Sequence, residues 1–258
     1  MPADTATTVT ADAAPASGRI RRFLDSDIGW SFRKTPAAWI SALVLTLLIV
    51  TAFLAPLIAA QNPYDLSQIF IDKAEIPPIW QEGGEWPFLL GTDPQGRDVL
   101  SAILYGSRIS LIIGFAAVLV SMLIGVGVGL LAGFHGGRID NLLMRLGDTV
   151  LSIPTLLMAI LVSAVFRGLL PPELRDPFAA MVLVLAISLT NWVQYARVVR
   201  ALTMVERRKE YVLAARIIHV PAARIMLRHI LPNTLTPVLV SATLNLGLAI
   251  LSEATLSF

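Results

Sequence analysis

Apolar positions in this chain gather into five long runs, at 37–60, 109–134, 149–166, 177–196 and 235–258, and polar positions collect between them. The first four runs carry no charged residue, and the fifth carries one, Glu253. Runs of roughly 20 apolar residues match the roughly 30 Å hydrocarbon layer of a membrane. A backbone surrounded by lipid must satisfy its own hydrogen bonds, so each run is predicted to be a helix. The short alternating strands of an outer-membrane barrel are absent from the pattern. The expected fold class is therefore an all-α membrane protein with five transmembrane helices. A signal peptide is the rival reading of the first run, but its apolar core would span only about 7 to 15 residues nearer the N-terminus. The run at 37–60 is read as an anchor.

Composition agrees with that pattern. Hydrophobic residues make up 55% of the 258 positions and charged residues 15%, against about 25% charged in soluble domains. Mean hydropathy is +0.72 and the pI is near 9.2. Lys and Arg lie mostly at the flanks of the apolar runs, which reads as membrane topology and not as a nucleic-acid surface. The chain has no cysteine, which excludes disulfides and thiolate chemistry.

The polar segments give an orientation. Residues 1–18, rich in Ala, Thr, Pro and Asp, read as a disordered tail. Arg19, Arg21, Arg22, Arg33 and Lys34 follow it. Arg138 and Arg145 lie between the second and third runs, and eight Lys or Arg residues fall in 197–228. The segments at 61–108 and 167–176 are poorer in positive charge and hold half of the 18 acids. Because positive charge is retained on the inner side, 1–36 is expected to be a partly disordered cytoplasmic tail ahead of a transmembrane domain at 37–258. Within that domain 61–108 becomes an external loop, and 135–148 and 197–234 become cytoplasmic.

Inside the 197–234 loop, KEYVLAARIIHVPAARIMLRHILP at 209–232 is basic and amphipathic. Read as a helix, Tyr211, Val212, Leu213, Ala214, Ala215, Ile217 and Ile218 form an apolar stripe. Its small residues, Ala214 and Ala215, allow another surface to approach closely. That stripe is suited to receive a push from a soluble partner, and a charge placed at Ala215 is expected to uncouple it. A basic helix lying in the lipid interface is the alternative.

Gly125, Gly129 and Gly133 recur every fourth residue, which favours close helix crossing over a substrate-lined groove. Pro154 is expected to bend the third run, and Asp148 to pair locally with Arg145. Glu253 is a pathway candidate as an acid within an apolar run; a position near the outer headgroups is the plainer account. GTDPQGRD at 91–98 reads as a tight turn ahead of a helix, with Asp93, Arg97 and Asp98 available for mutual pairing. The sequence lacks a Gly–Lys pair, so it has no phosphate-cradling loop of the Walker type. Its three histidines, His135, His219 and His229, lack ligand spacing, so neither a metal site nor a catalytic site is expected.

GTDPQGRDVLSAILYGSRISL at 91–111, FHGGRIDNLLMRLGDTVLSIP at 134–154, the EYVLAAR and RHILPN segments and the terminal SEATLSF together resemble the C-type inner-membrane permeases of peptide/nickel-class ABC importers. The resemblance covers about 35–258 and keeps the family's motif order. It implies a type I importer permease fold and a place in the bacterial inner membrane. It also implies a homologous B-type permease as heterodimer partner, two ATPase subunits that use ATP and Mg, and a periplasmic solute-binding protein. No cofactor is expected on this chain. By the same resemblance, Glu210, Tyr211, Leu213, Ala214, Ala215, Arg216, His219, Ile230, Leu231 and Pro232 carry coupling to the ATPases. Gly91, Thr92, Asp93, Gly96, Arg97 and Asp98 would dock or gate the binding protein.

Two positions depart from the family's pattern: Leu213 stands where the motif has Glu, and His219 where it has Gly. A left-handed helix cap suits Gly better than His, although Pro221 can also end the helix. The fifth run reaches Phe258 without a basic anchor or polar tail, whereas the family continues into a sixth span, so the chain is expected to be a truncated permease. A secondary transporter would call for inverted repeats or several midplane charges, and a structural scaffold would not need the coupling motif. Peptides, nickel, opines and sugar-like solutes are all compatible with the sequence.

Overall fold

The computed structural model describes Phe32 and residues 34–257. The tail at 1–18, the basic residues Arg19, Arg21, Arg22 and Arg33, and Phe258 lie outside the described residues. The chain divides into two units, Met1–Leu54 and Ala55–Phe258. Among the described residues, four helices are long and apolar enough to cross a membrane, or five if one bent pair forms a single span. All-α membrane architecture is therefore confirmed.

In the first unit, α1 runs Pro36–Phe53, 18 residues apolar on every face. It stops short of the expected residue 60 because Pro56 cannot donate to the carbonyl four residues back and its ring crowds that turn. The second unit opens with the short α2, Ala55–Ile58. Two 3₁₀ turns at Leu66–Gln68 and Ile71–Lys73 follow within an otherwise irregular segment.

The helix α3 spans Val99–His135, about 55 Å at 1.5 Å per residue. It starts ten residues before the apolar run because Asp98 caps it, accepting from Ser101 N at 2.8 Å. Gly136 and Gly137, at φ +69° and +55°, then turn the chain in a conformation that side chains resist. The amphipathic α4, Gly137–Leu151, follows.

The third apolar run is not one straight helix. It breaks at 152–154, where α4 gives way to α5, Thr155–Leu169, at a 93° angle. Pro154 removes a backbone donor and disfavours helical geometry at Ile153, so the bend is sharper than a kink. The longest later helix, α6, covers Pro172–Glu206, extending the fourth run by five residues at one end and ten at the other. The short α7, Glu210–Ile217, leads to α8, Ala222–Arg224, a π-helical turn at Ile225–Ile230, and α9, Leu231–Ser257.

Packing in the second unit centres on α3 against α6. A methyl group at Gly129 would meet Ala196 O at 2.6 Å and Val199 Cβ at 2.7 Å, and one at Gly133 would meet Arg200 O and Thr203 Cβ at 2.7 Å. The glycine stripe is thus a helix crossing. Beside it lies a core of Leu130, Tyr195, Val199, Val212, Ala215, Ile225, Ile230 and Val238, drawn from α3, α6, α7, the π turn and α9. A second core, Ile113, Ala117, Ile187 and Ala249, joins α3, α6 and α9 further along.

The end of α7 is a full Schellman cap. His219 lies at φ +56°; its N–H reaches Arg216 O at 3.0 Å, and Val220 N–H reaches Ala215 O at 3.0 Å. Both bonds are those the motif requires, so His219 adopts the conformation for which Gly is better suited.

Two measurements check this packing. Gly129→Ala should lower the thermal midpoint in detergent, because overpacking costs about 1–3 kcal/mol. Gly127→Ala, with nothing within 4 Å of the added carbon, should hold or raise it; equal responses at both sites would contradict the crossing. His219→Gly should stabilise the protein by about 1 kcal/mol, or about 2–4 °C, and a lower midpoint would contradict the left-handed cap.

Candidate functional site

The basic end of the second unit is organised around α7. Val212 and Ala215 face inward and are buried, whereas Leu213, Ile217 and Ile218 are exposed, the last two at 75% and 74%. Spacing alone puts Ala215 on the contact stripe, but the structure turns it into the protein's own core beside Val220. Ala215→Asp would therefore bury an unpaired charge and unfold the region before it could uncouple anything. The face available to a partner is the opposite one. Ile230 is also core, while Leu231 and Pro232 open α9 and do not belong to α7.

Polar contacts anchor α7 to three long helices. Arg216 lies over the Phe134 ring at 4.7 Å, near the end of α3. Arg207 caps α3, donating from Nη1 to Gly133 O at 2.8 Å and to Phe134 O at 3.1 Å, where a cation suits the negative end of the helix dipole. Glu206, at the end of α6, accepts from Lys209 Nζ at 2.6 Å and from the Tyr211 hydroxyl. Asn233 Nδ2, in the first turn of α9, donates to the Tyr211 oxygen at 2.9 Å. Burial, reinforced by the bond to Glu206, pushes the Tyr211 phenol above its ordinary pKa. The bond to Glu206 likewise holds the Lys209 ammonium up. Glu210 begins α7, where an acid complements the helix dipole.

Two ion pairs fix α4 along α6. Arg200 Nη2 donates to Asp140 Oδ2 at 2.7 Å and its Nε to Oδ1 at 2.5 Å, a bidentate pair. Arg197 Nη2 meets Asp148 Oδ1 at 2.7 Å, so Asp148 pairs across helices and not with Arg145. Sequence reasoning missed Glu206, Arg207, Asn233, Asp140 and Arg200. Glu206 and Glu210 are the only acids in 197–234, and an acid isolated among so many bases was the available signal.

At the other end of α3, the 91–98 turn is built from its own side chains. Asp93 Oδ1 accepts from Gln95 N at 2.8 Å and Arg97 N at 2.9 Å, an Asx turn. Asp93 Oδ2 faces Arg97 Nε at 3.2 Å. Asp98 takes no part in that pair, because its carboxylate caps α3. Thr92 Oγ1 accepts from Ile76 N at 2.9 Å and donates to Lys73 O at 2.5 Å, tying in the preceding segment. A side chain at Gly91 or Gly96 would collide with the carbonyl of Ile76 or Phe70. All six turn residues thus hold shape, and the Arg97–Asp93 pair, each side chain about one-third exposed, is where the turn presents charge at the surface. Trp80 and Trp86 stand exposed nearby on the same segment.

A cleft of about 730 Å³ opens between α3, α5, α6 and α9. Its charged lining residues are Arg167 and Glu253. Glu253 is buried, 4% exposed, and accepts from Ser110 Oγ at 2.5 Å. That bond joins α9 to α3, so Glu253 has a structural partner as well as a place on the cleft wall.

The family model for the binding-protein-dependent transport system inner membrane component matches residues 125–258. The model for the N-terminal transmembrane domain of oligopeptide transport permease C matches 26–78. The di/tripeptide transport system permease protein of Pseudomonas aeruginosa is 40% identical over 228 residues, covering 88% of this chain and 71% of the relative. The dipeptide permease of Escherichia coli is 38% identical over 227 residues, covering 88% and 71%. The oligopeptide permease of Bacillus subtilis is 34% identical over 227 residues, covering 88% and 68%. With α7 capped and presented at the basic end and matches across most of its length, the chain belongs to the family of binding-protein-dependent transport system inner membrane components.

Proposed function

We propose that this permease carries peptides across the bacterial inner membrane as one half of a heterodimeric pathway, driven by ATP hydrolysis in separate subunits. The observation that carries the reading is α7, a short capped helix with an apolar face directed outward and a polar and apolar anchorage directed inward. An exposed pair of large aliphatic side chains on a rigid element has the chemistry of an interface anchor. The peptide assignment is supported by the names of the relatives, which transport di-, tri- and oligopeptides.

In this reading the basic end faces the cytoplasm, as retention of positive charge inside requires, and the N-terminus lies on the same side. Two ATPase subunits bind ATP and Mg, and one of them seats Leu213, Ile217 and Ile218. The 91–98 turn faces the periplasm and meets a solute-binding protein. The homologous permease completes the pathway, and lipid surrounds the outer helices. ATP-driven closure displaces α7, and because α7 shares a core with α3, α6 and α9, those helices shift together between outward and inward access. This chain contributes no reacting group.

Replacing Ile217 and Ile218 together by Asp should leave the permease inserted while ATPase co-purification and uptake each fall about tenfold or more, as loss of an interface anchor implies. Undiminished uptake in that variant would defeat the coupling assignment. Arg97→Ala keeps the Asx turn, since Asp93 bonds the backbone of residue 97, and an ion pair this exposed contributes only about 0–1 kcal/mol to stability. The variant should need more binding protein for half-maximal ATPase stimulation at unchanged expression. A change confined to the affinity of binding protein for free peptide would rule out docking at this turn.

A further inference from the structure

A push at α7 does work only if α7 cannot tilt independently of the helices behind it. Eight residues are too few for a self-sustaining helix, and only residues 207–209 separate α7 from α6. The buried Val212 and Ala215 oppose its removal, but apolar contact is non-directional and permits sliding. Direction has to come from hydrogen bonds.

Those bonds converge on one hydroxyl. Tyr211, in the first turn of α7, donates to Glu206 Oε2 on α6, a carboxylate only 8% exposed. The Tyr211 hydroxyl oxygen in turn accepts from Asn233 Nδ2 on α9 at 2.9 Å. Asn233 also donates to His229 O at 3.1 Å, which fixes its amide. Lys209 neutralises the other Glu206 oxygen at 2.6 Å but is half exposed, so its contribution is weakened by solvent and salt. The bond from a neutral phenol to a sheltered carboxylate is charge-assisted and stronger than a neutral one.

We propose that Tyr211 is a positioning residue of the coupling step: its hydroxyl, held between Glu206 and Asn233, locks α7 to α6 and α9 so that displacement at α7 reaches both helices as one movement. This rests on the reading of α7 as the ATPase contact. With its pKa pushed up by burial, the phenol keeps its proton and the lock stays closed through the physiological range. The aromatic ring alone cannot supply the lock, because neither partner bonds to carbon.

The test uses the complete transporter, with partner permease, ATPases and binding protein, in proteoliposomes, and reads peptide uptake per ATP hydrolysed. Tyr211→Phe should assemble normally and hydrolyse ATP at close to the usual rate, while uptake per ATP falls about tenfold or more, the factor expected for one charge-assisted bond. Asn233→Ala should act in the same direction, and the double variant should be no worse than the stronger single one, as members of one network behave. Glu206→Gln, which keeps an acceptor for the hydroxyl but makes the bond neutral, should retain part of the ratio that Glu206→Ala loses. A normal ratio in Tyr211→Phe overturns the proposal. So does a parallel fall in assembly, hydrolysis and uptake at constant ratio, which would make the cluster structural only. Failure of the Ile217 and Ile218 substitutions to affect ATPase binding would instead remove the reading beneath it, and the proposal with it.

Discussion

Where Gly125, Gly129 and Gly133 cross α6, no side chain stands between the two backbones: the methyl groups that these residues lack would fall within 2.5–2.7 Å of α6 atoms. Lipid gives helices no hydrophobic reason to associate, so close van der Waals contact has to provide it. That contact sets the positions of Tyr195 and Val199, on which the larger core is assembled. It also sets the direction of the arginines beyond them. Arg200 reaches Asp140 and fixes α4, and Arg207 reaches the last carbonyls of α3. The arrangement of the basic end therefore follows from a stripe of missing side chains more than seventy residues from the nearest coupling residue in sequence.

The apolar runs, the helical class and the family were legible in the sequence because each depends on local composition or on motif order. Helix ends were not. Val99 to Arg108 is too polar to count as a lipid-facing run, yet it continues α3 without a break once Asp98 has capped it. Pro154 was visible as a bend, but its angle depends on α4 being held against α6 by ion pairs between residues 49 and 60 positions apart. Periodicity placed Ala215 on a face with other apolar residues without telling inside from outside. Burial decides that, and it depends on Ile225 and Ile230 arriving from a later turn. At His219 propensity argued against the cap that forms, because the preference for Gly is worth only about 1 kcal/mol and the surrounding contacts exceed it.

Around α7 the two kinds of cohesion divide their work. The apolar core supplies most of the resistance to separation, and it would serve almost as well if α7 slid by a fraction of a turn. The cluster of Glu206, Tyr211 and Asn233, with Arg207 and Arg216 at the end of α3, supplies angle and register. In the turn at 91–98, with its own Asx turn and its cap on α3, the side chains stabilise the backbone of a single loop. The basic end differs because its polar groups bond between elements, which is what a part that transmits displacement requires.

The π turn at Ile225–Ile230 has an effect out of proportion to its six residues. A π-helical bond reaches five residues back, as Leu231 N does to Met226 O, so the turn holds one residue more than α-helical geometry would. Since each residue of an α-helix rotates the next by about 100°, the whole of α9 is read one position out of phase with the helix that precedes it. That phase shift decides which side chains of α9 face α3. Without it, the residue opposite Ser110 would not be Glu253, and the acid in the last apolar run would point to a different neighbour, 23 residues from the turn that aims it.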